Sequence, residues 1–275
     1  MWFGLALMIV SEAGTLAHIE PFWSWNTPIA WTGFILFADA AVWRARGRSW
    51  IRSAPQEFML LSAVSIPLWL VFEFYNQFLN NWFYTGLPEN AALRMFGYAW
   101  SFSTIWPAIF EGADLVAILR ARPAAPPAPP ARPARPTLPA LPIAAGAAML
   151  AIPFFVSPAI AQYLAAPVWL GFILLLDPIN AWLGEESLTG DVAYGQYDRL
   201  WNLAGSGILC GVLWEFWNYW SRSKWHYTVP IMEHTKIFEM PLPGYLGYPA
   251  FAVECFTMYV FVRATLRVVG RAIAL

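Results

Sequence analysis

The chain has 275 residues, 59% of them hydrophobic, 17% aromatic and 12% charged, with a formal net charge of −1. A charge this close to zero gives no electrostatic footprint for nucleic acid, and two cysteines, Cys210 and Cys255, exclude a disulfide framework or a paired-thiol metal site. The apolar residues gather into runs of about 20, the length that crosses a bilayer as a helix, which excludes an ordinary soluble domain.

In chain order the runs predict eight membrane helices, near 2–19, 28–43, 55–79, 97–119, 141–162, 167–183, 200–221 and 246–267. The first starts at Met1 without a basic flank, holds Glu12 and shows no small-residue cleavage site, so it reads as a retained helix and not a signal peptide. The second ends after Asp39. The third carries "FEFYNQF" at 72–78, with Glu73 and Asn76 framed by aromatics, and the fourth carries Pro107 and Glu111. The stretch "RPAAPPAPPARPARPTLP" at 122–139 is too rich in Pro and Ala to pack and reads as a semi-extended cytoplasmic linker. Beyond it the sixth run carries Asp177, the seventh "WEFWNYW" at 214–220 with Glu215 and Asn218, and the eighth Glu254. With a cytoplasmic N-terminus, only Arg94, Arg222, Lys224 and Lys236 of the 16 basic residues fall outside. That positive-inside bias predicts a multi-pass protein of the inner (cytoplasmic) membrane with both termini cytoplasmic.

The two halves match. Trp31-Thr-Gly-Phe-Ile-Leu-Phe-Ala-Asp39 recurs as Trp169-Leu-Gly-Phe-Ile-Leu-Leu-Leu-Asp177, and Glu73, Asn76, Trp82, Tyr84 and Glu111 recur in order as Glu215, Asn218, Trp225, Tyr227 and Glu254. The expected architecture is therefore all-α: two tandem, parallel four-helix membrane repeats at 1–121 and 141–275, joined by the linker at 122–140. Glu12 and Asp114 have no acidic counterpart, since Leu150 and Thr257 stand at the matching positions.

A carboxylate at the centre of a membrane helix costs about 2.5–3.5 kcal/mol on insertion scales and usually faces a bundle interior. Almost no Lys or Arg lies within the runs to neutralise these acids, so they are candidates to hold protons and to act as acids or bases. An Asn three residues after each Glu shares its helix face and is placed either to bond the acid or to hold a neighbour. Glu111 and Glu254, on the last helix of each half, are the natural groups to meet Glu73 and Glu215. Buried acids also tie helices together without doing chemistry, and Asp39 and Asp177, close to helix ends, fit interfacial or capping roles.

The rings Phe72, Phe74, Tyr75 and Phe78, with Trp214, Phe216, Trp217 and Trp220, surround the Glu–Asn pairs. Ring faces shelter positive charge without attacking it, although core packing needs the same residues. The two Trp-x-Tyr segments, Trp82–Tyr84 and Trp225–Tyr227, stand in outer loops that could cap a cavity between the halves. An outer metal site of His226, Glu233 and His234 has spacing alone in its favour, and no phosphate loop, nucleophile elbow or paired-His helix calls for a cofactor.

These landmarks resemble the repeat of the transmembrane lycopene cyclases, as a distant relative. The elements read Phe72-Glu73, Trp82-Phe-Tyr84 and Pro107-Ala-Ile-Phe-Glu111, then Trp214-Glu215, Trp225-His-Tyr227 and Pro249-Ala-Phe-Ala-Val-Glu254. The family carries Asp in place of Glu73 and Glu215, and Pro-x-Glu-Glu in place of the single Glu after each Pro. The resemblance implies acid-initiated chemistry on a polyene: a cyclase, isomerase or hydratase for an apolar isoprenoid or carotenoid. Glu215 and Glu254 would form the acid/base pair with Asn218 orienting, and Glu73, Asn76 and Glu111 a second or degenerate copy. Trp214, Trp217, Trp220, Phe72, Tyr75, Trp225, Tyr227, Trp82 and Tyr84 would line the substrate site. Duplicated bundles with acids at mid-membrane equally fit a proton-coupled transporter or proton conductor, and a lipid- or pigment-binding structural subunit is a third reading.

Overall fold

A computed structural model describes residues 1–120 and 138–273, with 271–273 as backbone only. The proposed linker therefore lies, except for residues 138–140, outside the described residues. The chain is mostly helical, 76%. Three helical segments are long and apolar enough to cross a membrane, Pro55–Leu79, Ala91–Leu119 and Ala165–Leu183, and they point to a membrane protein.

In order, α1 spans Trp2–Leu16, α2 Phe22–Arg46, α3 Trp50–Ser53, α4 Pro55–Leu79, β1 Trp82–Thr85, α5 Ala91–Ser103 and α6 Ile105–Leu119. Then come α7 Ala140–Ala151, α8 Pro158–Ala161, α9 Ala165–Leu183, α10 Leu188–Ala193, α11 Asp198–Trp220, β2 Lys224–Tyr227, β3 Lys236–Ile237, β4 Met240–Pro241 and α12 Gly247–Ile273. Each of the eight hydrophobic runs falls on a long helix or helix pair, with two breaks that hydropathy alone does not show. The fourth run starts earlier, at Ala91, where the Asn90 side chain caps the Ala92 and Leu93 amides, and it is interrupted at Thr104. The fifth ends as an α-helix at Ala151, because Pro153 and Pro158 cannot continue the hydrogen-bond ladder; a 3-10 turn at Ile152–Phe154 and the short α8 follow.

Close packing depends on glycine at two crossings. A Cβ on Gly4 of α1 would meet the Gly33 backbone of α2, and a Cβ on Gly146 of α7 would meet the Gly171 backbone of α9. At one end of the bundle the two Trp-x-Tyr segments pair with each other. Strands β1 and β2 are antiparallel, with Trp82 opposite Tyr227, Phe83 opposite His226 and Tyr84 opposite Trp225. At the other end lies a cluster of arginines. Arg46 bonds Asp114 at 3.0 Å, Arg120 reaches Asn202 at 2.6 Å, Arg199 holds Asp191 and Glu186 at 2.6 and 2.9 Å, and Arg263 holds Glu186 at 2.8 Å.

Asp39 and Asp177 sit at this arginine end and cap short helices. Asp39 accepts the Ile51 amide of α3 at 2.9 Å. Asp177 accepts the Leu188 and Thr189 amides of α10 at 2.8 and 2.7 Å and the Thr189 hydroxyl at 2.6 Å. Ile51 and Thr189 stand at the same 138-residue offset as the two aspartates.

Candidate functional site

Beneath the β1–β2 ladder a cavity of about 140 Å³ opens between α2, α4, α5, α11 and α12. Seven tryptophans line it: Trp25 and Trp31 of α2, Trp69 of α4, Trp82 of β1, Trp169 of α9, Trp214 of α11 and Trp225 of β2. Phe72, Phe102 and Phe251 form its deeper wall, and Tyr84, Tyr98, Tyr227 and Tyr248 bring phenols to its surface. The rings contact one another mostly tilted or edge-on; Trp69 lies 5.6 Å from Trp214 and 6.0 Å from Phe251, centre to centre.

The sequence-matched acids Glu73 and Glu215 stand behind this surface, each reached through aromatic donors. Glu73 Oε1 accepts from Trp69 Nε1 at 2.8 Å, from Trp82 Nε1 at 3.3 Å and from the Tyr84 hydroxyl in a short bond. Glu215 is fully buried, and its Oε1 accepts from the Tyr248 hydroxyl at 2.5 Å and the Tyr227 hydroxyl at 3.0 Å. Trp225 Nε1 donates in turn to the Tyr227 hydroxyl at 2.9 Å. Burial, then the charge of Glu73, holds the Tyr84 phenol well above the usual tyrosine range; burial, then Glu215, does the same for Tyr227. Both phenols therefore stay protonated and remain donors.

Asn76 and Asn218 serve the strands, not the acids. Asn218 Nδ2 donates to the Trp225 carbonyl at 2.8 Å and its Oδ1 accepts the Trp225 amide at 2.9 Å. Asn76 treats Trp82 in the same way, at 2.8 and 3.2 Å, and also accepts the Asn81 amide. The orienting role expected of Asn218 toward Glu215 thus becomes a role toward the tryptophan of the cavity roof.

Glu111 and Glu254 do not meet Glu73 and Glu215. Glu254 follows Tyr248 by six residues on α12, about 9 Å further along the axis at 1.5 Å per residue. It is fully buried, and among the described residues neither of its oxygens has a hydrogen-bond partner. Glu111 is also fully buried, and among the described residues neither of its oxygens has a hydrogen-bond partner. Glu215 and Glu254 are therefore separate groups and not an adjacent acid/base pair. The reason lies in helix phase: α12 presents Tyr248 and Phe251 to the cavity and turns Glu254 away.

Of the rings expected at the site, Phe72, Trp82, Tyr84, Trp214, Trp225 and Tyr227 line the cavity. Trp217 is packed edge-on against Trp31 at 4.9 Å, Trp220 lies on the exposed surface, and Tyr75 is buried with its hydroxyl on the Leu150 carbonyl at 3.0 Å. Sequence reading missed Trp69 and Tyr248. Trp69 stands four residues before Glu73 on one helix face, a legible signal, whereas Tyr248 is placed by tertiary packing of α12 against Gly207 and Gly211.

His226 is held by Glu239 at Nδ1 and Thr85 at Nε2, both 3.1 Å, while His234 pairs with Glu233 on the exposed loop. Among the described residues no three His, Cys, Asp or Glu side chains gather for a metal, and His226 and His234 have different partners.

A second cavity of about 170 Å³ lies at the arginine end, lined by Asp114, Glu186, Arg199 and Arg263 among apolar residues. Between the two cavities Trp106, fully buried, donates its indole N–H to the Cys255 carbonyl at 2.8 Å, with Cys210 beside it.

No protein-family model, curated protein or solved structure matches the chain.

Proposed function

We propose that this is a membrane-embedded enzyme acting on an isoprenoid or carotenoid polyene, a cyclase, isomerase or hydratase in which buried Glu215 supplies and recovers a proton. The carrying observation is the tryptophan-lined cavity whose wall holds Tyr227 and Tyr248, both bonded to one carboxyl oxygen of Glu215. In this reading a tyrosine hydroxyl turns from Oε1 to the substrate and gives its own proton to a C=C carbon as the protonated Glu215 carboxyl passes its proton to that tyrosine oxygen, leaving Glu215 as the carboxylate that later takes a proton back. The ring faces of Trp69, Trp214 and Trp225 shelter the resulting carbocation, and loss of a proton or attack by water ends the reaction. Glu73, with Tyr84, Trp69 and Trp82, forms a second proton site on the opposite wall.

The same reading takes the eight long helical segments as membrane spans in two parallel four-helix copies, with the strand end outside and the arginine end cytoplasmic. The paired strands β1 and β2, the Asn–Trp bonds repeated in each half and the equivalent glycine crossings support the duplication.

A transporter needs a polar route between the two end cavities. The two cavities share no lining residue, which favours chemistry at one cavity over conduction through both; the buried acids Glu111 and Glu254 are where a proton path between them would have to run. The test is expression in a bacterial host that accumulates a linear carotenoid, with chromatography and mass spectrometry of its pigments. An isomer of equal mass marks a cyclase or isomerase, and a gain of one water marks a hydratase. Unchanged pigment with the protein present in the membrane removes carotenoid chemistry.

A further inference from the structure

The mouth of the tryptophan cavity carries a cation that the polyene chemistry leaves without a role. Arg94 sits in the first turns of α5, and the cavity face of that helix runs Arg94, Gly97, Tyr98, Ser101 and Phe102, the spacing of a single helical stripe. Along this stripe polarity falls from a guanidinium at the rim to a phenyl ring, about 12 Å deeper at 1.5 Å per residue.

Arg94 has no carboxylate partner among the described residues. Its Nη1 donates to the backbone carbonyls of Pro88 and Glu89 at 3.2 and 3.4 Å, and no ion pair holds it. The other cations near the strand end differ. Arg222 pairs with Glu20 at 3.3 Å, and Lys224, the second cation at the cavity, pairs with Glu239 at 3.3 Å. Lys236 is exposed and does not line the cavity. A half-buried arginine, positioned by backbone carbonyls and bordering a mainly apolar cavity, presents its remaining N–H donors in the planar fork that suits a carboxylate or phosphate. The hydroxyls of Ser24, Ser101 and Ser223 also line the cavity and can complete the contacts of an anionic head.

We infer that the cavity takes an amphiphile, with a polyene or isoprenoid tail among the tryptophans and an anionic head, carboxylate or phosphate, on Arg94. This rests on the cavity being the polyene site proposed above and adds the chemistry of the ligand's polar end. A hydrocarbon polyene leaves half-buried Arg94 to water at the rim, whereas an anionic head supplies the missing partner.

The experiment uses cis-parinaric acid, a fluorescent conjugated tetraene with a carboxylate head, and its methyl ester, which has the same tail and no charge. Energy transfer from the cavity tryptophans to the tetraene is titrated in phosphatidylcholine nanodiscs for the wild-type chain, Arg94→Gln and Trp214→Ala. The acid binds the wild type at least about tenfold more tightly than the ester. Arg94→Gln erases that preference while leaving ester binding unchanged, and Trp214→Ala weakens both ligands. Competition by phosphatidylglycerol or by farnesyl phosphate then separates a membrane-lipid head from an isoprenoid phosphate. Equal binding of acid and ester to the wild type, a comparison that needs no variant, overturns the role of Arg94 while leaving the polyene cavity standing. Binding of neither overturns the cavity as a polyene site and this inference with it.

Discussion

Asn218 holds Trp225 by both ends of its amide, donating to the Trp225 carbonyl at 2.8 Å and accepting the Trp225 amide at 2.9 Å. A side chain that pairs with a backbone in this way substitutes for a strand neighbour. It fixes where β2 leaves α11, and hence where Trp225 and Tyr227 meet the cavity.

Removing that amide leaves a buried N–H and C=O without partners, at about 1–3 kcal/mol for each group. Asn218 is fully buried, whereas Asn76 is partly exposed, so water can replace its bonds. Asn218→Ala is therefore expected to lower thermal stability in detergent more than Asn76→Ala, and equal losses would show that burial does not set the cost.

Tyr248 and Tyr227 both donate to Glu215 Oε1, and Tyr84 donates to Glu73. If Glu215 is the working acid, Tyr248→Phe slows product formation by about 10²-fold, the low end of what a positioned acid–base group contributes. Tyr84→Phe leaves it within a fewfold. The reverse order, measured as initial rates at equal protein level, would move the chemistry to the Glu73 wall.

Glu186 gives a pH signature away from the membrane interior. Burial raises its carboxyl, but Arg199 and Arg263 outweigh burial and hold it below the ordinary value of 4.5. A depressed carboxyl contributes stability that is present above the ordinary value and lost as pH falls through the lower folded value. Melting temperatures from pH 6 downward should fall below about pH 4.5 in the wild type and fall less steeply in Glu186→Gln. Parallel curves would mean that this carboxyl is not linked to folding.

Phe83 and His226 face each other across the strand pair, with ring centres 5.4 Å apart. Cysteines at both positions should be joined by a short bifunctional thiol cross-linker, because directly opposed residues place their Cβ atoms about 4.5–5.5 Å apart. A pair at Phe83 and Lys236 should not. Cross-linking of the second pair and not the first would separate the two Trp-x-Tyr segments.

Most of the helices were legible because apolar runs and Pro or Gly punctuation mark them directly, as at Pro55 and Gly47. The breaks at Thr104 and Ala151 were not, since a run of apolar residues looks the same whether or not its ladder is interrupted. Within the site, the acids and the Trp-x-Tyr segments could be found by matching the two halves. Their partnerships could not: Glu215 meets Tyr248 instead of Glu254 because the phase of α12 against α11 is set by the close approach at Gly207 and Gly211. Arg94 reads in the sequence only as an outer charge, because its place at the cavity rim depends on how α5 packs near β1, where Tyr98 meets Tyr84.

The most direct test of the central claim compares pigments in the linear-carotenoid host expressing the wild-type chain, Glu215→Gln or Glu73→Gln, with each protein quantified in the membrane. The account predicts a product from the wild type, its loss by about 10²-fold or more in Glu215→Gln, and a smaller change in Glu73→Gln. A product that persists unchanged in Glu215→Gln would contradict it.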